Sequence, residues 1–140
     1  ESDADGIPGR FLRMQKSNRE KALAAMKETL AWRREHDVDT ILSRPHPKFL
    51  RCKSVLPHCF LGRDSTDHVI FAQRPGMLQL DDAHANDVST EDLLMHYVYV
   101  LEYCWNIEEP QADQTMTSIL DMKGIQFSLL RKGELIRFVK

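Results

Sequence analysis

One hundred and forty residues, 42% hydrophobic and 29% charged, suit one globular domain large enough to bury a sizeable core. The net charge of -2 excludes the basic excess on which bulk nucleic-acid binding depends, and no window nears the roughly 18 apolar residues of a membrane span. The 3 cysteines, Cys52, Cys59 and Cys104, lie far apart with no C-x-x-C and read as free thiols, so a cytoplasmic setting is expected.

A short basic segment comes first, carrying Arg10, Arg13, Lys16, Arg19 and Lys21. The spacing of Arg13, Lys16 and Arg19 fits either a solvated face or a surface that meets an anionic headgroup. Asn18 is placed to cap a helix, with Glu20 in its positive first turn. Leu23, Met26 and Leu30, beside Ala22 and Ala25, fall at helical spacing and predict an amphipathic helix from Arg19 to about His36 and Asp37. Val38 to Leu42 predicts a further short turn. Pro45 and Pro47 then break the chain and mark a linker.

Two apolar runs, His58 to Gly62 and His68 to Gln73, flank the polar loop 63–67 and predict a hairpin. Pro75-Gly76 forces a turn. Ser89-Thr90-Glu91-Asp92 resembles a capping box and predicts a second long helix running to about Glu109, where Pro110 stops it. Thr115 to Met122 predicts a strand covered on both faces, closed by Lys123-Gly124. Leu135, Ile136, Phe138 and Val139 have helical spacing and predict a last helix over Gly133 to Lys140.

On a wheel of about 100° per residue, Leu93 to Ile107 separates two arcs. Ile107, Val100, Leu93, Cys104, Tyr97, Leu101, Leu94, Trp105 and Val98 form an apolar arc covering roughly half the circumference. Glu102, Met95, Asn106, Tyr99, Tyr103 and His96 fill the polar remainder. The wide apolar arc fits an ordinary buried helix, or one that packs on a sheet and also lines an apolar cavity. Tyr99, Tyr103 and His96 could face a headgroup or simply solvent.

Signals for catalysis are weak. The 6 histidines, His36, His46, His58, His68, His84 and His96, show no metal-ligand spacing. H-E-x-x-H, G-x-S-x-G, Walker and G-x-G-x-x-G patterns do not occur. Asp121 stands at a strand end, where catalytic groups often sit, but a carboxylate there also accepts bonds from turn amides. No catalytic residue, metal or cofactor is expected.

Five segments, in order, resemble the CRAL-TRIO lipid-binding family, which includes phosphatidylinositol/phosphatidylcholine transfer proteins. Arg10-Phe11-Leu12-Arg13-Met14-Gln15-Lys16 is similar to the family's Arg-Phe-Leu-Arg-Ala-Arg-Lys. Glu28-Thr29-Leu30-Ala31-Trp32-Arg33 matches the end of its next helix. Gly62-Arg63-Asp64 through Val69-Ile70-Phe71 and Arg74-Pro75-Gly76 is similar to its first hairpin. Glu91-Asp92-Leu93 through Glu102-Tyr103 resembles the helix that follows. Ile119-Leu120-Asp121-Met122-Lys123-Gly124 is close to its Leu-Asp-Leu-Lys-Gly strand end.

The resemblance implies a mixed α/β fold, an N-terminal helical bundle followed by a mixed sheet flanked by helices. It divides the chain into a helical region, 1–50, and the first half of the lipid-binding domain, 51–140. It implies a phospholipid partner, transient contact with a membrane surface, and exchange of lipid without covalent chemistry. It assigns Lys16 to a headgroup phosphate; Gln15 stands where the family has a second cation. Asp67-His68-Val69-Ile70 likewise replaces the family's Gly-Arg-Pro-Val. Val98, Leu101 and Trp105 are the expected apolar wall. The rest of the lipid-binding domain, with its gate helix, is expected after Lys140, so residues 1–140 alone should expose a sheet edge and be marginally stable. A lipid-sensing or docking module in a larger protein is the alternative function.

Overall fold

The computed structural model of the chain describes residues 6–78, 87–108 and 115–125. The chain divides into two compact units, Glu1–Ser43 and Arg44–Lys140.

The first unit is helical. α1 (Gly9–Met14) opens directly after Pro8. It closes in a Schellman turn, with Ser17 N donating to Leu12 O at 2.8 Å and Lys16 N to Arg13 O at 3.2 Å. That turn places Lys16 at φ 50 and Ser17 at φ 63, left-handed positions usually given to glycine. α2 (Arg19–Glu35) begins where the Asn18 side chain accepts from Lys21 N, as the cap signal requires. Its last turn is tied to the 3₁₀ turn Val38–Ser43 by Arg33, which donates to Asp39 Oδ1 from both Nε (3.0 Å) and Nη2 (2.7 Å).

The core of this unit is Ile7, Phe11 and Ala22, with Leu12, Ala25 and Met26 packed against it. The expected stripe is thus met only in part. Leu23 and Leu30 remain 36% and 43% exposed, because α2 turns its Ala22–Ala25–Met26 side, spaced i, i+3, i+4, toward α1.

The second unit opens with α3 (Phe49–Val55), where the two prolines predicted only a linker. This helix starts two residues after Pro47 and buries only Cys52 and Val55, too short a stretch for periodicity to register. β1 (His58–Arg63) and β2 (Val69–Gln73) form the expected antiparallel hairpin. Its register shifts between Phe60 and Arg63, where Gly62 takes φ 101.

α4 (Thr90–Tyr103) carries a complete capping box between Ser89 and Asp92, and continues as a π turn over Cys104–Glu108. β3 (Met116–Leu120) then pairs parallel with β2, giving a mixed sheet of order β1-β2-β3. The fold is mixed α/β, as expected.

β3 is not covered on both faces. Ile119 is 47% and Leu120 54% exposed, since among the described residues this strand has a neighbour on one edge only and no layer over its second half. Beyond it, Asp121 N donates to Gln73 O, and Arg74 pairs with Asp121 Oδ2 at 3.2 Å. Lys123 N donates to the other Asp121 oxygen at 3.0 Å, so this carboxylate serves a turn. A side chain on Gly76 would collide with the Lys123 carbonyl, which explains glycine in the Pro75-Gly76 turn. The predicted helix over 133–140 lies outside the described residues, as does the stop at Pro110.

Candidate functional site

Three elements of the second unit line an open cavity of about 400 Å³. α3 contributes Phe49 and Lys53, β1 contributes His58 and Phe60, and α4 contributes Tyr99, Val100 and Tyr103. The wall is mainly aromatic and apolar, with few polar groups, and the volume falls in the range of small-molecule sites. Strand alternation aims His58 and Phe60, two apart on β1, at the same side of the sheet. Helical spacing likewise stacks Tyr99 and Tyr103 one turn apart.

A cluster of histidines lies against this wall. His96 is 2% exposed, and its Nδ1 lies 2.9 Å from His46 Nε2. Its ring packs 4.9 Å from Phe49 and 5.0 Å from His58, while the His46 ring lies 5.2 Å from Tyr99. His58 Nδ1 donates to the Leu56 carbonyl at 2.8 Å, which leaves Nε2 of the neutral ring as a lone pair. Burial, and then the neighbouring rings of His58 and His46, hold His96 down to about 4. Burial also lowers His46 and His58 from their ordinary range. These imidazoles are therefore neutral at pH 7. Cys52, fully buried, completes a set in which ligand atoms of His46, Cys52 and His96 all lie within 4.8 Å of one another.

The residues expected to bind lipid are placed differently. Lys16 is exposed at the end of α1, in the first unit. Val98 and Leu101 are half-buried on α4 and Trp105 is half-buried in the π turn beyond it, and none of the three lines the cavity just described. The lining comes instead from Tyr99, Val100 and Tyr103, two of them from the arc read as polar. His96, from that same arc, is buried. The reason is that α3 packs on this side of α4, with His46 and Phe49 lying against it. Phe49, Lys53, His58 and Phe60 carried no sequence signal for a site. The pair Tyr99 and Tyr103 did, as aromatic residues on adjacent turns.

The CRAL/TRIO domain model matches residues 54–140, more than half of the sequence. The chain belongs to the CRAL/TRIO family. Two curated relatives extend the likeness into the helical unit. Phosphatidylinositol/phosphatidylcholine transfer protein SFH9 of Arabidopsis thaliana is 26% identical over 132 residues, 88% of this chain and 22% of the relative. Phosphatidylinositol/phosphatidylcholine transfer protein SFH11 of the same plant is 26% identical over 131 residues, 88% of this chain and 35% of the relative. The CRAL/TRIO chain thus spans about a third or less of either. No described helix is long and apolar enough to cross a membrane.

Proposed function

We propose that this protein binds one phospholipid of the phosphatidylinositol or phosphatidylcholine class and exchanges it between membranes. Membership of the CRAL/TRIO family carries the reading, and the two curated relatives are named for that transfer. The apolar cavity between α3, β1 and α4 supports it physically. An acyl chain left in water costs about 0.8 kcal/mol per methylene, so a carrier needs walls of this kind.

In this reading Lys16 meets a headgroup phosphate. It is exposed in the turn that closes α1, at a left-handed backbone position. Val98, Leu101 and Trp105 supply further apolar wall, the protein works in the cytoplasm, and it touches membranes only peripherally.

The test is mass spectrometry of organic extract from the purified protein, joined to a vesicle-to-vesicle transfer assay with labelled phosphatidylcholine and phosphatidylinositol. A stoichiometric phospholipid and accelerated transfer are expected. Bound lipid without transfer would instead favour a lipid-sensing module. A folded protein with no lipid would discard both and leave a docking domain.

A further inference from the structure

We propose that His46, Cys52 and His96 bind a single zinc ion, with water completing the tetrahedron. Independent of the lipid reading, this inference rests on three donors gathered from separate elements. His46 comes from the segment ahead of α3, Cys52 from α3 itself, and His96 from the middle of α4. Two imidazoles and a thiolate form a nitrogen and sulfur set, which selects zinc over magnesium or calcium. One carboxylate oxygen of Asp92, Oδ2 at the start of α4, is already committed. It accepts from Lys48 Nζ at 2.9 Å, Ser89 N at 2.8 Å and Ser89 Oγ at 2.7 Å.

The distances suit an ion after a small adjustment, in which the two nitrogens move slightly apart and the longer separations close. Zinc holds nitrogen at about 2.0–2.1 Å and sulfur at about 2.3 Å, so donors around it lie roughly 3.3–3.8 Å apart. Here His46 and His96 are at 2.9 Å, and all three donors fall within 4.8 Å. Among the described residues, Cys52 Sγ is otherwise engaged only by a long contact of 3.8 Å to the Asp92 carbonyl. The other ring nitrogen of His96, Nε2, is buried with no hydrogen-bond partner among the described residues, so no bond on that side holds the ring against a small turn toward an ion. The rings of Phe49, His58 and Tyr99 surround the cluster and would keep the site dry, while half-buried His46 gives access.

Binding balances simply. The Cys52 thiol gives up its proton to solvent. The proton shared between His46 Nε2 and His96 Nδ1 moves to the far nitrogen of whichever ring carries it. Both lone pairs then reach the ion, and one proton leaves per zinc bound. The ion would also fasten α3 to α4 behind the cavity wall.

The test uses the chain stripped with chelator under reducing conditions and titrated with cobalt(II), then with zinc. One equivalent of cobalt should produce a thiolate-to-cobalt charge-transfer band that one equivalent of zinc abolishes. Calorimetry in buffers of different ionisation enthalpy should count one proton released. Cys52→Ala should remove the band, His46→Gln should weaken zinc binding about 100-fold, and Cys59→Ser should change neither. If Cys52→Ala fails to fold, His46→Gln decides, since its ring is not fully buried. A folded wild-type chain without the band, a band that survives Cys52→Ala, or unchanged affinity in His46→Gln would each overturn the assignment.

Discussion

α2 and α4 are two long helices of similar sequence quality, each opened by a side-chain cap, yet they are held in opposite ways. α2 spans 17 residues and buries only Ala22 fully; α4 spans 14 and buries Leu93, His96 and Val100, with Cys104 just beyond. α2 depends on local devices: the Asn18 cap, the Arg33–Asp39 pair and the Trp32–His36 stack at 4.5 Å. α4 depends on packing against α3 and on the tie from Lys48 to its own capping box at Asp92. Isolated helices shorter than about 12–15 residues are marginal in water, so α4 with 14 residues needs tertiary contact more than α2 with 17.

Substitutions can break or sharpen that contrast. The largest effect is expected from Leu93→Ala, which empties a site shared with Cys52, Val55 and Val88. It should cost about 2–5 kcal/mol in urea denaturation, by lost transfer energy and residual cavity. A loss below about 1 kcal/mol would place α4 in the same regime as α2.

Next comes acid. The Asp64 carboxylate accepts from Thr117 Oγ1 at 2.5 Å, Thr66 Oγ1 at 2.7 Å, Thr66 N at 2.8 Å and His68 N at 3.0 Å, and these bonds, Thr117 first, hold it well below the usual carboxylate range. A depressed folded-state pKa gives stability that is complete above the unfolded value near 3.8 and drains away as pH falls below it. Thermal melts should therefore drop below about pH 4, and Asp64→Asn should flatten that part of the profile.

The paired caps come third. Ser89→Ala and Asn18→Ala should each cost about 1 kcal/mol, with Ser89→Ala the greater because its Oγ both accepts from Asp92 N and donates to Asp92 Oδ2. Hydrogen exchange should show the Asn18 effect confined to the first turns of α2. The smallest effect belongs to Leu30→Ala, a 43% exposed position, expected to stay within about 0.5 kcal/mol. A loss above 1 kcal/mol would mean that this face of α2 is covered.

Much of the fold was legible because the chain marks its own boundaries. Asn18, Ser89 with Asp92, and Pro75-Gly76 start or stop elements by local chemistry that a sequence displays. α3 was not legible, since seven residues with two buried side chains leave no periodic trace. The wheel for α4 sorted side chains by polarity and so misplaced His96, whose burial follows from packing partners such as His46, 50 residues away. Lining residues drawn from α3, β1 and α4 meet only in three dimensions, as do the donors His46, Cys52 and His96. Tyr99 and Tyr103 were visible as a pair because one helix carries both.

The parallel pairing of β2 with β3 also has a consequence in time. Val69 meets Met116, and the same offset of 47 residues recurs where Arg74 reaches Asp121. A ribosome adding roughly 5–20 residues per second needs about 2–10 seconds to supply that interval. The β1–β2 hairpin closes in about 1–10 μs once made, and is marginal by itself. In each round of synthesis, β2 therefore waits with one edge unpaired for about a million times longer than its hairpin takes to form. The order in which this sheet assembles is set by translation, and its most association-prone moment comes before β3 exists.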